Sequence, residues 1–409
     1  MLVMNRIIFI GRFFPRNLSE TVIKDSNSKI EMSNHNFEMS IINGLSLQEN
    51  VDVHCFTIPA VYSYPYNNNR LYTSRESYVQ DEVTIDSIPF LNLPIVKEIW
   101  GTIGLALRLI KKIRRYSGER VDAIVNTPDI RILCGLAIAR VFLSKRITQT
   151  VIIPDLPSML MKMDTSINPV KRMIMKSLNR IAMKLTSRSN GLVLLTEAMS
   201  EFFDLPKTYI VMEGLVSEQL INRDYIYNSN DREIILYAGT IRKIFGIMNL
   251  IEAFRKIKRD DVELWICGSG DARPDIERIS KEDSRIRYWG MVSSKEALDM
   301  QRKATILVNP RTSEGEYTKY SFPSKTIEYM ISGKDVIINR LPGIPDEYYD
   351  FVHVPEDESV DALADCISGV IDMDKDSRAS LTENAKEFIV NNKNSKVQVA
   401  KILQMIKMY

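Results

Sequence analysis

The chain has 409 residues, 45% of them hydrophobic, with 54 basic and 52 acidic side chains and a formal net charge of +2. That length accommodates two domains that each bury a full core, and the near balance of charge argues against a dedicated nucleic-acid binder. The balance conceals an asymmetry: 26 basic and 20 acidic residues lie up to Leu215, against 28 and 32 beyond it.

In chain order, an apolar run at 6–11 stopped by Gly11 reads as a first strand, 37–48 has helical spacing, and 51–57 alternates as a strand. The apolar run near the N-terminus is too short for a membrane span and has no small-residue cleavage site, and no later stretch approaches a transmembrane helix. Helices at 96–116, 131–143 and 168–188 then alternate with strands at 121–127, 148–157 and 191–196. Residues 217–232 are polar and without sustained periodicity, which marks a linker. The alternation restarts at 233–239 and continues through strands at 262–268, 286–290 and 305–310, and helices close the chain. Alternation of this kind implies parallel sheets covered by helices on both faces. The expected organisation is two doubly wound, Rossmann-like α/β domains, 1–216 and 233–390, joined by the linker 217–232. A C-terminal helix at 391–409 is free to pack back on the first domain. Ligands in such folds bind beyond the carboxyl ends of strands, here expected in a cleft between the domains.

Cys55, Cys134, Cys267 and Cys366 are far apart, each in or beside an apolar stretch, and no pair has metal-ligand spacing. That pattern suits reduced, buried thiols and points to the cytosol.

The second half holds most of the chemical signal. Gly239 follows one strand and leads through a short basic loop, with Arg242 and Lys243, to Gly246 at a helix start. Gly268 and Gly270 follow the next strand, Gly290 a third, and the stretch KYSFPSKTIEYMISGKDVI follows a fourth. Glycines at strand ends let a ligand approach the backbone, and helix N-termini suit phosphate. Lys325 adds a full charge at the helix start after Ser324, where a cation is unfavourable unless an anion is also present.

The ordered motifs YAGT…FGIMNLIEAF, ELWICGSGD, RYWGMVSSKEAL, ATILVNPR and FPSKTIEYMISGKDVI resemble those of the retaining glycosyltransferases of family 4, which have the GT-B fold. The resemblance covers about 233–354 and is weaker in the first half. It implies a second domain that binds a nucleoside-diphosphate sugar, a first domain that binds the acceptor, no metal requirement, and bacterial surface-polysaccharide assembly as the setting. It also implies that Glu328 is the second glutamate of the family's paired motif, holding the ribose hydroxyls. A carboxylate, with acceptors only, suits a vicinal diol.

The chain departs from the pattern in three places. Tyr320 stands where the first glutamate is expected, so Glu316, or failing that Glu314, is the candidate for the sugar hydroxyls; both also read as solvated loop carboxylates. The family's Arg and Lys of the first loop fall on Thr240 and Phe245, which leaves Arg242 and Lys243 as stand-ins, one of which can be a plain surface charge. Where the family often keeps a His beside an Asp in the first domain, this chain has Pro154 and Asp155. Asp155 orders the acceptor, hydrogen-bonds a sugar, or caps a turn. The three histidines do not fit that position: His54 and His353 read as structural, and His35 as a site candidate in an acceptor-side loop. Asp372–Asp374 spells an acidic metal motif but reads as a solvated turn.

The candidate catalytic residues are therefore Glu316, Asp155 and Lys325. The donor-binding set is Gly239, Thr240, Arg242, Lys243, Gly268, Met291, Ser324, Lys325 and Glu328. No cofactor or metal is expected. The helix at 169–188 carries Lys171, Arg172, Lys176, Arg180, Lys184 and Arg188 without an acidic residue, interleaved with Met173, Ile174, Leu178, Ile181 and Leu185. Such a helix either lies on anionic lipid or packs its apolar face into the core. The expectation is a cytoplasmic enzyme, peripheral on the inner face of the plasma membrane. It would pass a sugar from a nucleotide donor, UDP favoured, to a lipid-linked or saccharide acceptor with retention. A nucleotide-sugar epimerase, a soluble disaccharide synthase and a non-catalytic nucleotide-sugar-binding partner are the alternatives.

Overall fold

In the computed structural model the described residues are 5–15, 32–72, 77–80, 83–116, 119–143, 146–157, 168–203, 208–216, 218–221 and 232–409. The chain divides into two compact units: Met1–Leu215 with Ser395–Tyr409, and Val216–Asn394. Most of the segment read as a linker, 217 and 222–231, lies outside the described residues; Glu218–Ile221 forms a single helical turn.

The first unit is built on β1 (Asn5–Gly11), β2 (Val51–Thr57), β4 (Ser77–Gln80), β5 (Val83–Ser87), β7 (Val121–Asn126), β8 (Ile147–Ile153), β9 (Gly191–Leu194) and β10 (Thr208–Val211), in the order β10-β9-β8-β7-β1-β2-β5-β4. All neighbours are parallel except β4 and β5. Two short strands, β3 (Leu71–Tyr72) and β6 (Phe90–Leu91), pair antiparallel. β7 and β9 are buried along their whole length, as expected of parallel strands covered by helices on both faces.

On one face, α1 (Met32–Ser46) packs against α11 (Ser395–Ile406), and Ile41, Ile42, Leu45, Val399 and Ile402 share a core with Ile7 and Phe9 of β1. A side chain at Gly44 would meet the Ser395 carbonyl oxygen at 2.4 Å, so only glycine lets the two helices approach this closely. α2 (Val96–Arg114), α3 (Ile130–Leu143) and α4 (Pro169–Thr186) follow strands that advance the opposite way along the sheet, which for right-handed crossovers puts them on the other face.

The second unit has β11 (Glu233–Ala238), β12 (Val262–Cys267), β13 (Ile286–Tyr288), β14 (Ile306–Asn309) and β15 (Asp335–Ile338), all parallel, in the order β13-β12-β11-β14-β15. The order reverses at β11, between β12 and β14, which is where a doubly wound sheet opens a crevice. The helices are α5 (Ile247–Lys256), α6 (Arg273–Glu282), α7 (Ser294–Lys303), α8 (Lys325–Met330), α9 (Val360–Asp372) and α10 (Lys375–Asn392). Leu250, Ile251 and Phe254 of α5 and Leu363 and Ile367 of α9 share one core with the strands.

The first helix starts earlier than its apolar spacing predicts, at Met32 instead of residue 37, because its first turn is polar. His35 therefore lies on a helix and not in a loop.

Candidate functional site

The carboxyl ends of the second unit's strands are locked to one another by backbone contacts. Gly239 N donates to Cys267 O (3.0 Å), Gly268 N to Gly290 O (2.7 Å) and Ile241 N to Ser269 O (3.1 Å). A side chain at Gly268, whose φ is +139°, would lie 1.7 Å from the Gly239 carbonyl oxygen, and one at Gly246, φ +75°, would lie 2.0 Å from the Pro310 oxygen. Packing against the neighbouring loop alone is enough to require glycine at both positions. Gly290 differs: at φ +66° it has open space around its Cβ position, with exposed Met291 beside it.

α8 is placed by Tyr329, whose fully buried hydroxyl accepts from Ala238 N (3.0 Å) and donates to Ala238 O (3.2 Å). Burial pushes that phenol well above its ordinary range. The last turn of the helix is thereby tied to the end of β11. At six residues α8 is too short to present a strong dipole. Ser324 occupies the cap position without a side-chain cap bond.

Glu328 is held from two directions. Gln301 Nε2 of α7 and Lys325 Nζ each lie 2.7 Å from its Oε1. Lys325 thus has an anion from within the protein, and the cation at the first turn no longer requires a bound phosphate to explain it. Glu328 stays partly exposed, with 27% of its side chain accessible. Burial, offset by Lys325 and reinforced by Glu328, pushes the Cys267 thiol at the end of β12 up to about 11. The pair therefore sits beside both β11 and β12, at the reversal point of the sheet.

In the basic loop, Lys243 is committed to α6: its backbone N–H donates to Asp271 (2.8 Å) and its ammonium pairs with Asp275 (2.6 Å). Arg242 is partly buried, its guanidinium 5.7 Å from the centre of the Phe245 ring. Arg311, just after β14, lies over the same ring at 4.5 Å and over Tyr317 at 5.6 Å. Tyr317 in turn donates to Ile244 O (3.1 Å). Two arginines therefore converge on Phe245, and both lower the pKa of the Tyr317 phenol against the larger effect of burial. Arg311 and Gln301 were not singled out by the sequence reading. Arg311 directly follows a strand in NPR, a signal of position that was there to be used.

Glu316 is exposed at the start of a 3-10 turn, Glu316–Tyr320, and Glu314 is exposed just before it. Tyr317 docks this turn on the basic loop, whereas Tyr320 is buried. Thr240 is exposed, and its carbonyl accepts from the Tyr237 hydroxyl (2.8 Å).

In the first unit, Asp155 is exposed in a bend after β8. His35 Nδ1 accepts from Phe14 N (3.2 Å), and burial lowers its pKa. His54 pairs with Asp86 (2.8 Å) and His353, in the second unit, with Asp335 (2.9 Å). Asp374 caps α10 by accepting from Ser377 N (2.9 Å), and Asp372 pairs with Arg259 (2.6 Å). A buried cluster that sequence reasoning missed lies where β1 and β7 end. Glu38 accepts from Arg12 N (2.8 Å), Asn126 Nδ2 (2.7 Å) and Asn34 Nδ2 (3.1 Å). Burial outweighs these donors and pushes its carboxyl up to about 7.

α4 turns its apolar residues outward. Its buried residues are Ala182 and Thr186, while Val170, Met173, Ile174, Leu178 and Ile181 are exposed. Among the described residues, no helix is long and apolar enough to cross a membrane.

Residues 232–373 match the family model of glycosyl transferases group 1. No curated protein sequence matches the chain. Among solved structures, the chain is similar to a sucrose-phosphate synthase from Thermosynechococcus elongatus, at a TM-score of 0.61 and 14% identity over 99% of both chains. It is similar to HepE from Anabaena in complex with UDP, at 0.60 and 13%, over 99% of this chain and 100% of that one. It is similar also to WaaB, a lipopolysaccharide outer core galactosyltransferase, at 0.57 and 14%, over 98% and 99%. At such identities the likeness is one of fold: the chain has the GT-B fold of two parallel-sheet α/β units, with a glycosyl transferases group 1 match across 232–373.

Proposed function

We propose that the protein is a retaining glycosyltransferase that moves a sugar from a nucleoside-diphosphate sugar to a lipid-linked or saccharide acceptor in cell-surface polysaccharide assembly. The observation that carries this reading is the position of Glu328, held by Gln301 and Lys325 at the reversal point of the sheet, inside the segment that matches the group 1 model. Its carboxylate accepts from both ribose hydroxyls. Arg242 and Arg311, gathered on Phe245, neutralise the diphosphate as planar, bidentate donors without a metal ion. Gly239, Thr240 and Met291 frame the base and ribose, and Lys243 acts as an outer charge. Ser324 and Lys325 lie toward the diphosphate. Glu316, or Glu314, takes the sugar hydroxyls, and Asp155 orders the acceptor. The departing diphosphate accepts the acceptor's proton on the same face, which gives retention. UDP is the favoured nucleotide, in keeping with the UDP complex of the similar HepE structure.

The domains are read as 1–216 for the acceptor and 233–390 for the donor. The enzyme is placed at the cytoplasmic face of the plasma membrane, with helix 169–188 on anionic lipid. A soluble disaccharide synthase is the second reading, favoured by the sucrose-phosphate synthase likeness; the outward apolar stripe of α4 favours the lipid-linked one.

The test is a thermal-shift panel of UDP- and GDP-sugars on the full chain, since a ligand stabilises in proportion to the logarithm of its excess over Kd. Any hit is then followed for donor hydrolysis and for transfer to lipid-linked acceptors. A raised Tm with one UDP-sugar and slow hydrolysis is expected. No shift with any nucleotide sugar would overturn the proposal.

A further inference from the structure

The outward stripe of α4 is one third of a larger surface. α2 and α3 pack against each other, with Gly135 of α3 close enough to Thr102 that a Cβ would lie 3.0 Å from its carbonyl oxygen, and α3 packs against α4. The three helices are thus neighbours on one face of the first unit's sheet. α2 buries Leu105, Ala106, Leu109 and Ile113 against the sheet, yet its opposite side is apolar too. Trp100, Ile103 and Leu107 recur there at three- and four-residue spacing, and Leu107 is 63% exposed. α3 is apolar apart from Arg131 and Arg140, with Val141 80% and Phe142 63% exposed. A helix that is apolar on all sides is ordinarily covered on all sides, and an apolar surface of this extent on a folded unit marks an interaction site.

We infer that α2, α3 and α4 together form a platform that inserts apolar side chains into an anionic bilayer, with the basic residues of α4 and the end of α2 contacting the headgroups. The charges select the occupant. Glu98 is the one acidic residue on the three helices, and it faces Arg131 at 3.2 Å. The other charges on the three helices are all basic, and they include Lys111, Lys112 and Arg114 at the end of α2 and the basic row of α4. A two-fold dimer through this face would set those rows of like charge against themselves, whereas anionic lipid complements them. Trp100 has the amphipathic ring suited to the headgroup level.

The inference deepens the membrane contact proposed for α4 and rests on that reading. It differs in a measurable way, because a purely electrostatic contact is released by salt and an inserted apolar surface is not. The full chain is mixed with phosphatidylglycerol-containing vesicles, and separately with pure phosphatidylcholine vesicles, at low and high salt. Brominated lipid acyl chains report on tryptophan depth, and Trp100→Phe separates Trp100 from Trp265 and Trp289. The expected result is binding to the anionic vesicles that survives high salt in part, with quenching that Trp100→Phe removes. The surface variant Leu107→Ser/Val141→Ser/Phe142→Ser should lower the salt-resistant binding more than about tenfold without lowering Tm.

Binding that high salt abolishes, with no quenching of Trp100, would overturn the platform and leave the electrostatic contact of α4 standing. A concentration-dependent dimer broken by the same surface variant would overturn it in favour of a second copy. Absence of binding to either vesicle would overturn both membrane statements, while the nucleotide-sugar panel decides the glycosyltransferase reading independently.

Discussion

Lys325 closes onto Glu328 along α8, with 2.7 Å between its ammonium nitrogen and the carboxylate Oε1. The pair is partly exposed, so it contributes little to stability, about 1 kcal/mol or less. Its consequence is orientation: with Gln301 on the same oxygen, the carboxylate has a fixed direction before any ligand arrives. Glu328→Gln should therefore weaken nucleotide-sugar binding by about tenfold or more, since a charge-assisted bond contributes about 1.5–3 kcal/mol. Isothermal titration with the donor found in the thermal panel checks this. Equal affinity in the variant would remove Glu328 from the ribose.

Arg311 tests the diphosphate assignment. Arg311→Gln should weaken the nucleoside diphosphate by about tenfold and leave the affinity for the bare nucleoside unchanged. Arg311→Lys should recover only part of the loss, because an ammonium cannot stack on Phe245 and Tyr317 as a planar guanidinium does. If nucleoside and diphosphate weaken together, Arg311 acts on the loop as a whole and not on the phosphates.

The strand-end glycines make a prediction about stability. At Gly268 a methyl group meets a backbone oxygen at 1.7 Å and a φ of +139° at once, and neither obstacle is the movable end of a side chain. Gly268→Ala should cost about 2–4 kcal/mol, read from denaturant unfolding of the second unit's tryptophans. Gly290→Ala meets only the unfavourable φ and should cost about 1 kcal/mol. Equal costs at the two positions would contradict the loop-packing account.

Glu38 predicts a pH dependence. Its folded pKa, about 7, stands above the ordinary 4.5, so between those values the folded chain holds a proton that the unfolded chain has released. Stability is then fully present below about 4.5 and declines as pH rises toward 7, by about 3 kcal/mol in all. Glu38→Gln should flatten that slope. Hydrogen exchange of the β1 and β7 amides across this window measures it; a slope unchanged in the variant would assign it to other groups.

Much of the architecture was legible because strand and helix periods are local. β11 through β14 follow from apolar runs that lead into Gly or Pro, and Glu328 was singled out from its place in a motif. The site's supports were not legible for a physical reason. Gln301 reaches Glu328 across 27 positions and Asn126 reaches Glu38 across 88, and Arg311 meets Phe245 only once two loops have docked. Glu38 itself sits in a helix between Phe37 and Met39, and the groups that hold its buried carboxylate, Arg12 N and Asn126, come from distant strand ends. For Lys325, the charge at a helix start was legible, but its i,i+3 contact with Glu328 appears only once the helix is built. α4 shows the same limit. Its amphipathic spacing defined two faces but not which one the fold would bury.

The return of α11 to the first unit has a consequence for biosynthesis. Ile41, Ile42 and Leu45 of α1 are covered by Val399 and Ile402, residues made more than 350 positions later. A nascent chain therefore carries an uncovered apolar flank on its first unit throughout synthesis of the second. Chaperone dependence and sensitivity to C-terminal truncation should follow from that order of events, not from any weakness in the finished sheet.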